Sequence, residues 1–273
     1  MTVQFYPNGI GGTAPGDSLD LARPLQTTGN VWYVSSLIGF DAASPAGQNR
    51  EKPLATLAQA VTNSASDDFI VFLPGHSETL TAAQSIAKRL TLIGEGTTSG
   101  KPSVSFRTNA AVSALFTLSG TNIELRNIYF PEAQQTNSLV KIQWTGQFGR
   151  VVGCYFELGA KDTAGALQLN GSDQLRVDGS TFISTATLVT AQPGYAIKSA
   201  SALVDLEISN TVFSAGTVGF SNFAAVDLTF NPATRCRITG LSLLLGADVA
   251  MGASATGYVN VQLSTGGSRV TWS

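Results

Sequence analysis

Along the middle of the chain one arrangement of apolar and polar positions keeps returning. It occurs as Leu125 to Phe130, Val151 to Phe156, Val177 to Phe182, Ile208 to Phe213 and Ile238 to Leu243. Each six-residue segment has an aliphatic residue first, Asn or Gly third and a large apolar residue sixth. The sixth positions fall at 130, 156, 182, 213 and 243, giving steps of 26, 26, 31 and 30 residues. A period of about 20 to 50 residues marks a solenoid, whose units bury their apolar face only by stacking on neighbours.

The pattern predicts β coils. Val, Ile, Leu and Phe suit strands, and the small third residue suits a left-handed bend, so each segment reads as two short strands joined at Asn127, Gly153, Gly179, Asn210 or Gly240. Gly94, in Leu92-Ile93-Gly94, marks an earlier, degenerate coil. Further strands are expected at Ala114 to Leu118, Leu139 to Trp144, Ala166 to Leu169, Tyr195 to Ser199 and Ala225 to Phe230. A β-sandwich would give turn signals about every 8 to 12 residues, without equivalent side chains returning at one phase. The phase therefore predicts an all-β chain, a single-stranded parallel β-helix.

Composition fits a long narrow core: 43% apolar residues, 12% charged residues and 28 Gly. The formal net charge of −2 and the absence of a basic run speak against a nucleic-acid partner. No N-terminal signal pattern and no long apolar run is seen, so a soluble protein made in a cytoplasm, with no membrane partner, is expected. Cys154 and Cys236 lie coils apart, which predicts buried thiols and not a disulfide.

Residues 1–30, polar and rich in Gly and Pro, read as an N-terminal arm. Residues 31–75 read as strand, loop, helix and strand, with the helix near Pro53 to Ala65. Leu54, Leu57, Ala58, Val61 and Ala65 would form its apolar stripe, and Pro53 would lie in its first turn. This short N-terminal α-helix is expected to cap the open end of the first coil. Residues 76–249 are the coils. Residues 250–273 are closing strands, Tyr258 to Leu263 and Arg269 to Trp272, that seal the other end or join a partner chain.

Four runs then carry a family likeness: Trp32-Tyr33-Val34-Ser35, Gly39-Phe40-Asp41-Ala42-Ala43, Lys52-Pro53-Leu54-Ala55-Thr56-Leu57-Ala58-Gln59-Ala60-Val61, and Asp68-Phe69-Ile70-Val71-Phe72-Leu73-Pro74-Gly75-His76. Together they resemble the opening segment of pectin-lyase-like right-handed β-helix proteins. With the repeats, the resemblance spans residues 31–245 and implies a right-handed coil. That fold hosts lyases, hydrolases, tailspikes and noncatalytic virion proteins, so function has to come from a site.

Candidate chemistry is sparse. His76, the single histidine, follows Leu73-Pro74-Gly75 at a turn and reads as a solvated or locally bonded side chain. No metal-ligand spacing occurs, and neither a metal nor a cofactor is expected. The Gly-rich strings from Gly9 to Gly16 precede no strand–helix unit and read as part of the arm. Glycan cleavage needs two carboxyl groups about 5 to 9.5 Å apart. Repeat alignment stacks Glu124, Arg150, Arg176, Glu207 and Arg237 in one outward column, and Arg126, Val152, Asp178, Ser209 and Thr239 in the next. Asp178 and Glu207 are thus the best enzymatic pair. The arginines between the acids favour a solvated charge ladder instead, because an acid catalyst needs a raised pKa and nearby cations lower it.

Tyr129 and Tyr155 occupy equivalent outward positions in successive coils and are candidate partner-binding residues, for a sugar or a protein. The arm offers Phe5, Tyr6 and Ile10, and Trp144 and Trp272 are open to the same two uses. A weakly charged β-helix with a pliant arm and no evident catalytic constellation resembles the trimeric β-helical proteins of bacteriophage particles. That resemblance implies a homotrimeric, noncatalytic capsid cement or decoration protein that binds the phage major capsid protein and is located in the virion. The alternative is a tailspike that binds or depolymerises a bacterial surface glycan.

Overall fold

The computed structural model describes residues 29–43, 46–110, 113–133, 140–159, 162, 165–171, 174–185, 195–199, 205–214, 224–228, 235–244, 248–251, 256–263 and 270–272. Almost all of the expected arm, Phe5, Tyr6 and Ile10 included, lies outside them.

These residues build an all-β architecture of long parallel sheets with a solenoid-like plan. The chain visits three faces in a fixed order and then returns to the first. One such circuit is Glu124–Arg126, Tyr129–Phe130 and Val140–Trp144; the next is Gly149–Val152, Tyr155–Leu158 and Gly165–Leu169. Each strand pairs in parallel with its counterpart one circuit away, as in Leu125 with Val151 and Phe130 with Phe156. The third face is an 8-stranded sheet among the described residues, while the first two belong to one folded sheet.

The fold at the corner between them has a local cause. Asn127, Gly153, Gly179 and Asn210 adopt φ of 52°, 59°, 57° and 49°, the left-handed values that Gly and Asn accept most readily. Asn127 fastens its corner further: its side-chain amide donates to the carbonyls of Gly94 (2.7 Å) and Gly96 (3.2 Å). At Gly240 the expected pair of strands is one continuous strand, Arg235–Leu244, which pairs with Asp205–Ser209 on the first face before Gly240 and with Val212–Ser214 on the second after it. The pairing of that strand with Thr256–Leu263 shifts register between Ile238 and Leu241.

Parallel pairing extends beyond the five repeats on both sides. Thr91–Gly94 pairs with Glu124–Arg126 and with Phe69–Phe72, which in turn pairs with Val31–Val34. At the other end, Thr256–Leu263 and Val270–Trp272 add further parallel strands to the stacked faces.

Between the faces runs the core. Phe130, Phe156, Phe182 and Phe213 are fully buried and stack ring on ring, with centroids 4.8, 4.6 and 5.0 Å apart and planes within 7° of parallel. Phe116 and Phe106 continue the aromatic column with edge-on contacts. Trp144 also points inward and is fully buried, which removes it from the candidate binding residues. Its ring lies so close to Gly149 that a Cβ there would meet Trp144 Cζ2 at 2.1 Å.

The helix is shorter than its sequence pattern suggests, Leu57–Asn63, because Thr56 caps it by accepting from Gln59 N (3.2 Å). Pro53 therefore precedes the helix. Leu57 and Ala60 join the core, whereas Ala58 and Ala65 are exposed. The carboxylate of Asp41 holds the same end through Ala55 N, Thr56 N and the Thr56 hydroxyl.

Candidate functional site

The first face carries the expected charge columns in the expected register. Glu124, Arg150, Arg176, Glu207 and Arg237 align across successive strands, and Arg126, Val152, Asp178, Ser209 and Thr239 align two residues on. The two candidate carboxylates face different partners. Glu207 lies directly opposite Arg176, with the ions 3.1 Å apart. Asp178 lies opposite Ser209 and accepts from its hydroxyl (2.7 Å) and from the Asn210 amide (3.1 Å). Glu124 is bridged by Arg126 and reached by Arg150 at 3.5 Å.

On the second face Tyr129 and Tyr155 are register partners, both half-buried, with their rings edge to face at 5.7 Å. The strand places them there because the inward positions are taken by Phe130 and Phe156 and alternate side chains must point out. A short antiparallel hairpin, Thr97–Thr98 with Lys101–Pro102, brings Lys101 over them, its ammonium 5.2 and 5.0 Å from the two ring centroids. Glu157 completes the group, bonded to Lys101 and to the Tyr129 hydroxyl.

Burial pushes both phenols above their ordinary pKa; the Glu157 bond raises Tyr129 further, and the Lys101 charge partly offsets the rise at Tyr155. Lys101 is raised too, chiefly by its bond to Glu157. The outcome is an outward cluster of two phenols, an amine and a carboxylate, suited to hydrogen-bonding a polar partner over an aromatic floor.

His76 is fully buried and not solvated. Its Nδ1 accepts from Ser36 N (2.9 Å), its Nε2 lies 3.3 Å from Glu78 Oε2, and its ring packs against Phe72 and Phe106. With Nδ1 held by a backbone amide and Nε2 turned to a carboxylate, neither nitrogen serves a nearby hydroxyl as a base. Glu78 also accepts from Leu57 N, so the group ties the helix and the loop at Ser36 to the turn.

The sequence pattern missed Lys141 and Asp162. Both are buried, and their charged ends meet at 2.6 Å. Lys141 occupies an outward strand position, so alternation places it on the surface; no short-range signal revealed that the turn carrying Asp162 covers it. Trp272 ends the strand Val270–Trp272 opposite Met251, and its side chain lies outside the description. Among the described residues no group of three or more His, Cys, Asp or Glu is placed to hold a metal, and no helix is long and apolar enough to cross a membrane.

No model of a known protein family matches the chain. A search of curated proteins likewise found no match.

Proposed function

We propose that the chain is a right-handed parallel β-helix of the pectin-lyase-like kind, acting as a noncatalytic bacteriophage virion protein. In this reading the helix Leu57–Asn63 caps the first coil, three copies associate side by side, and the trimer binds the major capsid protein as a cement. Residues 1–30 serve as the arm that reaches neighbouring coat subunits, and multivalent attachment supplies the hold, with avidity gains of about 10² to 10⁴.

The observation that carries the noncatalytic part is the assignment of Asp178 and Glu207 to separate partners, Ser209 and Asn210 for one and Arg176 for the other. A glycosidase needs two carboxyl groups converging on one bond. Support for docking through the flanks comes from the Tyr129, Tyr155 and Lys101 cluster, since tyrosine is enriched where proteins meet. The same cluster favours a second reading, a tailspike that binds a bacterial surface polysaccharide.

Native mass measurement and sedimentation with coat-protein shells test the first reading. A trimer that cosediments with shells, and loses them when residues 1–25 are deleted, is expected; a monomer that ignores shells overturns it. Incubation with capsular polysaccharide tests the second. Shortened glycans, lost in Asp178→Asn, would replace the cement reading with an enzymatic one.

A further inference from the structure

The buried pair Lys141 and Asp162 is absorbed by none of the roles above, and both of its charged groups are held by further hydrogen bonds. Lys141 Nζ donates to Asp162 Oδ1 (2.6 Å) and to the carbonyl of Pro131 (2.6 Å). The other oxygen of Asp162, Oδ2, accepts from two backbone amides, Gly159 N at 2.9 Å and Ala133 N at 3.3 Å. Lys141 is 2% and Asp162 0% exposed, so water has little access to either. Burial pushes the Lys141 ammonium below its ordinary pKa, against the opposing pull of Asp162. Beyond Asp162, the negative charges acting on Lys141 are Glu132 and then Glu157. The Glu132 carboxyl lies against the backbone of Gly159, close enough that a Cβ there would meet Glu132 Cδ at 1.8 Å.

We infer that Lys141 and Asp162 are the two ends of a self-forming isopeptide bond that fastens one turn of the solenoid to the next. The proton of the ammonium passes along the 2.6 Å hydrogen bond to Asp162 Oδ1, leaving a neutral amine and a neutral carboxyl. One remaining N–H stays on the Pro131 carbonyl, which limits rotation of the amine while its lone pair, left on the side of Asp162, is free to attack Cγ. Reacting atoms held about 3 to 3.5 Å apart in a fixed geometry gain most of what an intramolecular reaction offers. As Nζ bonds to Cγ, negative charge gathers on Oδ2, where the amides of Gly159 and Ala133 already point. The second proton passes from Nζ to the departing Oδ1, which already carries the first. The Cγ–Oδ1 bond breaks, one amide forms and one water leaves, with no change of oxidation state.

Geometry favours these two residues over the other ion pairs. Arg176 with Glu207 is exposed to water, which would compete with the reaction, and a guanidinium is a poor nucleophile. Lys101 with Glu157 is partly exposed, and the lysine there is raised, not lowered.

Intact mass measurement of the purified full chain, denatured before analysis, decides the matter. A mass one water below that of the sequence is expected, together with a tryptic peptide in which the Lys141 side chain is joined to Asp162. That branched peptide is read from the unaltered chain, so the result does not depend on whether a variant folds. Lys141→Met should return the full sequence mass. An unaltered chain at full sequence mass overturns the proposal, leaving a permanent noncovalent ion pair. A water loss that persists in Lys141→Met also overturns it, by placing the dehydration elsewhere, for example at Asp178–Gly179.

Discussion

Phe156 and Phe182 stack face to face, their ring centroids 4.6 Å apart and their planes 2° from parallel, although a full circuit of chain separates them. Each ring is fully buried and also touches a further phenylalanine on its other side. Phe156→Ala or Phe182→Ala should therefore cost about 3 to 5 kcal/mol, because the cavity is walled by neighbouring strands and cannot collapse. Equilibrium unfolding in urea reads this directly; a loss under about 1 kcal/mol would mean that the rings are not a packed column.

The corners make a contrasting prediction for two glycines. A Cβ at Gly153 would meet nothing within 4 Å, so Gly153→Ala bears only the left-handed backbone at φ 59°, about 1 to 2 kcal/mol. A Cβ at Gly94 would stand 2.1 Å from the carbonyl oxygen of Asn127 and push two strands apart. Gly94→Ala should therefore melt well below Gly153→Ala in thermal denaturation. The reverse order would contradict the strand spacing.

Cys154 is sealed inside the same corner, and burial pushes its thiol up to about 12. In the folded protein it should resist thiol reagents at neutral pH and react fully once the chain is unfolded. Because the folded value lies above the ordinary 9.0, stability from this group is complete below pH 9.0 and is lost as pH rises from there to about 12. Cys154→Ser should flatten part of that alkaline decline; rapid labelling of the native protein would refute the placement.

Tyr129 and Tyr155 should ionise above the ordinary phenol value of 10.0. Folding thus favours their protonated forms, and the contribution is full below pH 10.0 and lost at higher pH. Alkaline titration followed by ultraviolet absorbance, with Tyr129→Phe and Tyr155→Phe to assign the steps, checks the direction. Lys101→Ala should move Tyr155 further up, since the ammonium opposes its rise. A Tyr155 step that moves down in that variant would show that the amine does not lie over the ring.

The stacking register was legible because it is written in single residues that repeat: Phe at the sixth position must go inward, and Asn or Gly at the third must turn the chain. From those two constraints the alignment of Glu124 with Arg150 and of Asp178 with Ser209 follows without further information. What escaped were features fixed by distant parts of the chain. Burial of Lys141 depends on Asp162 and on the turn at Pro131, and burial of His76 depends on Ser36, Phe106 and Glu78. Lys101 belongs to a hairpin outside the repeat, and only the fold sets it over Tyr129 and Tyr155. Gly240 matches the repeat, yet there one continuous strand serves both faces where the earlier circuits have two.

The three corners of each circuit differ in how much length they admit. Between the first and second faces the link is two residues at 127–128, 153–154, 179–180 and 210–211, whereas between the second and third it spans residues 159–164 in one circuit and 185–196 in another. Extra length is thus confined to one edge while hydrogen-bonded neighbours keep their alignment. That edge is the natural place for an engineer to graft new peptide without rewriting the scaffold beneath it.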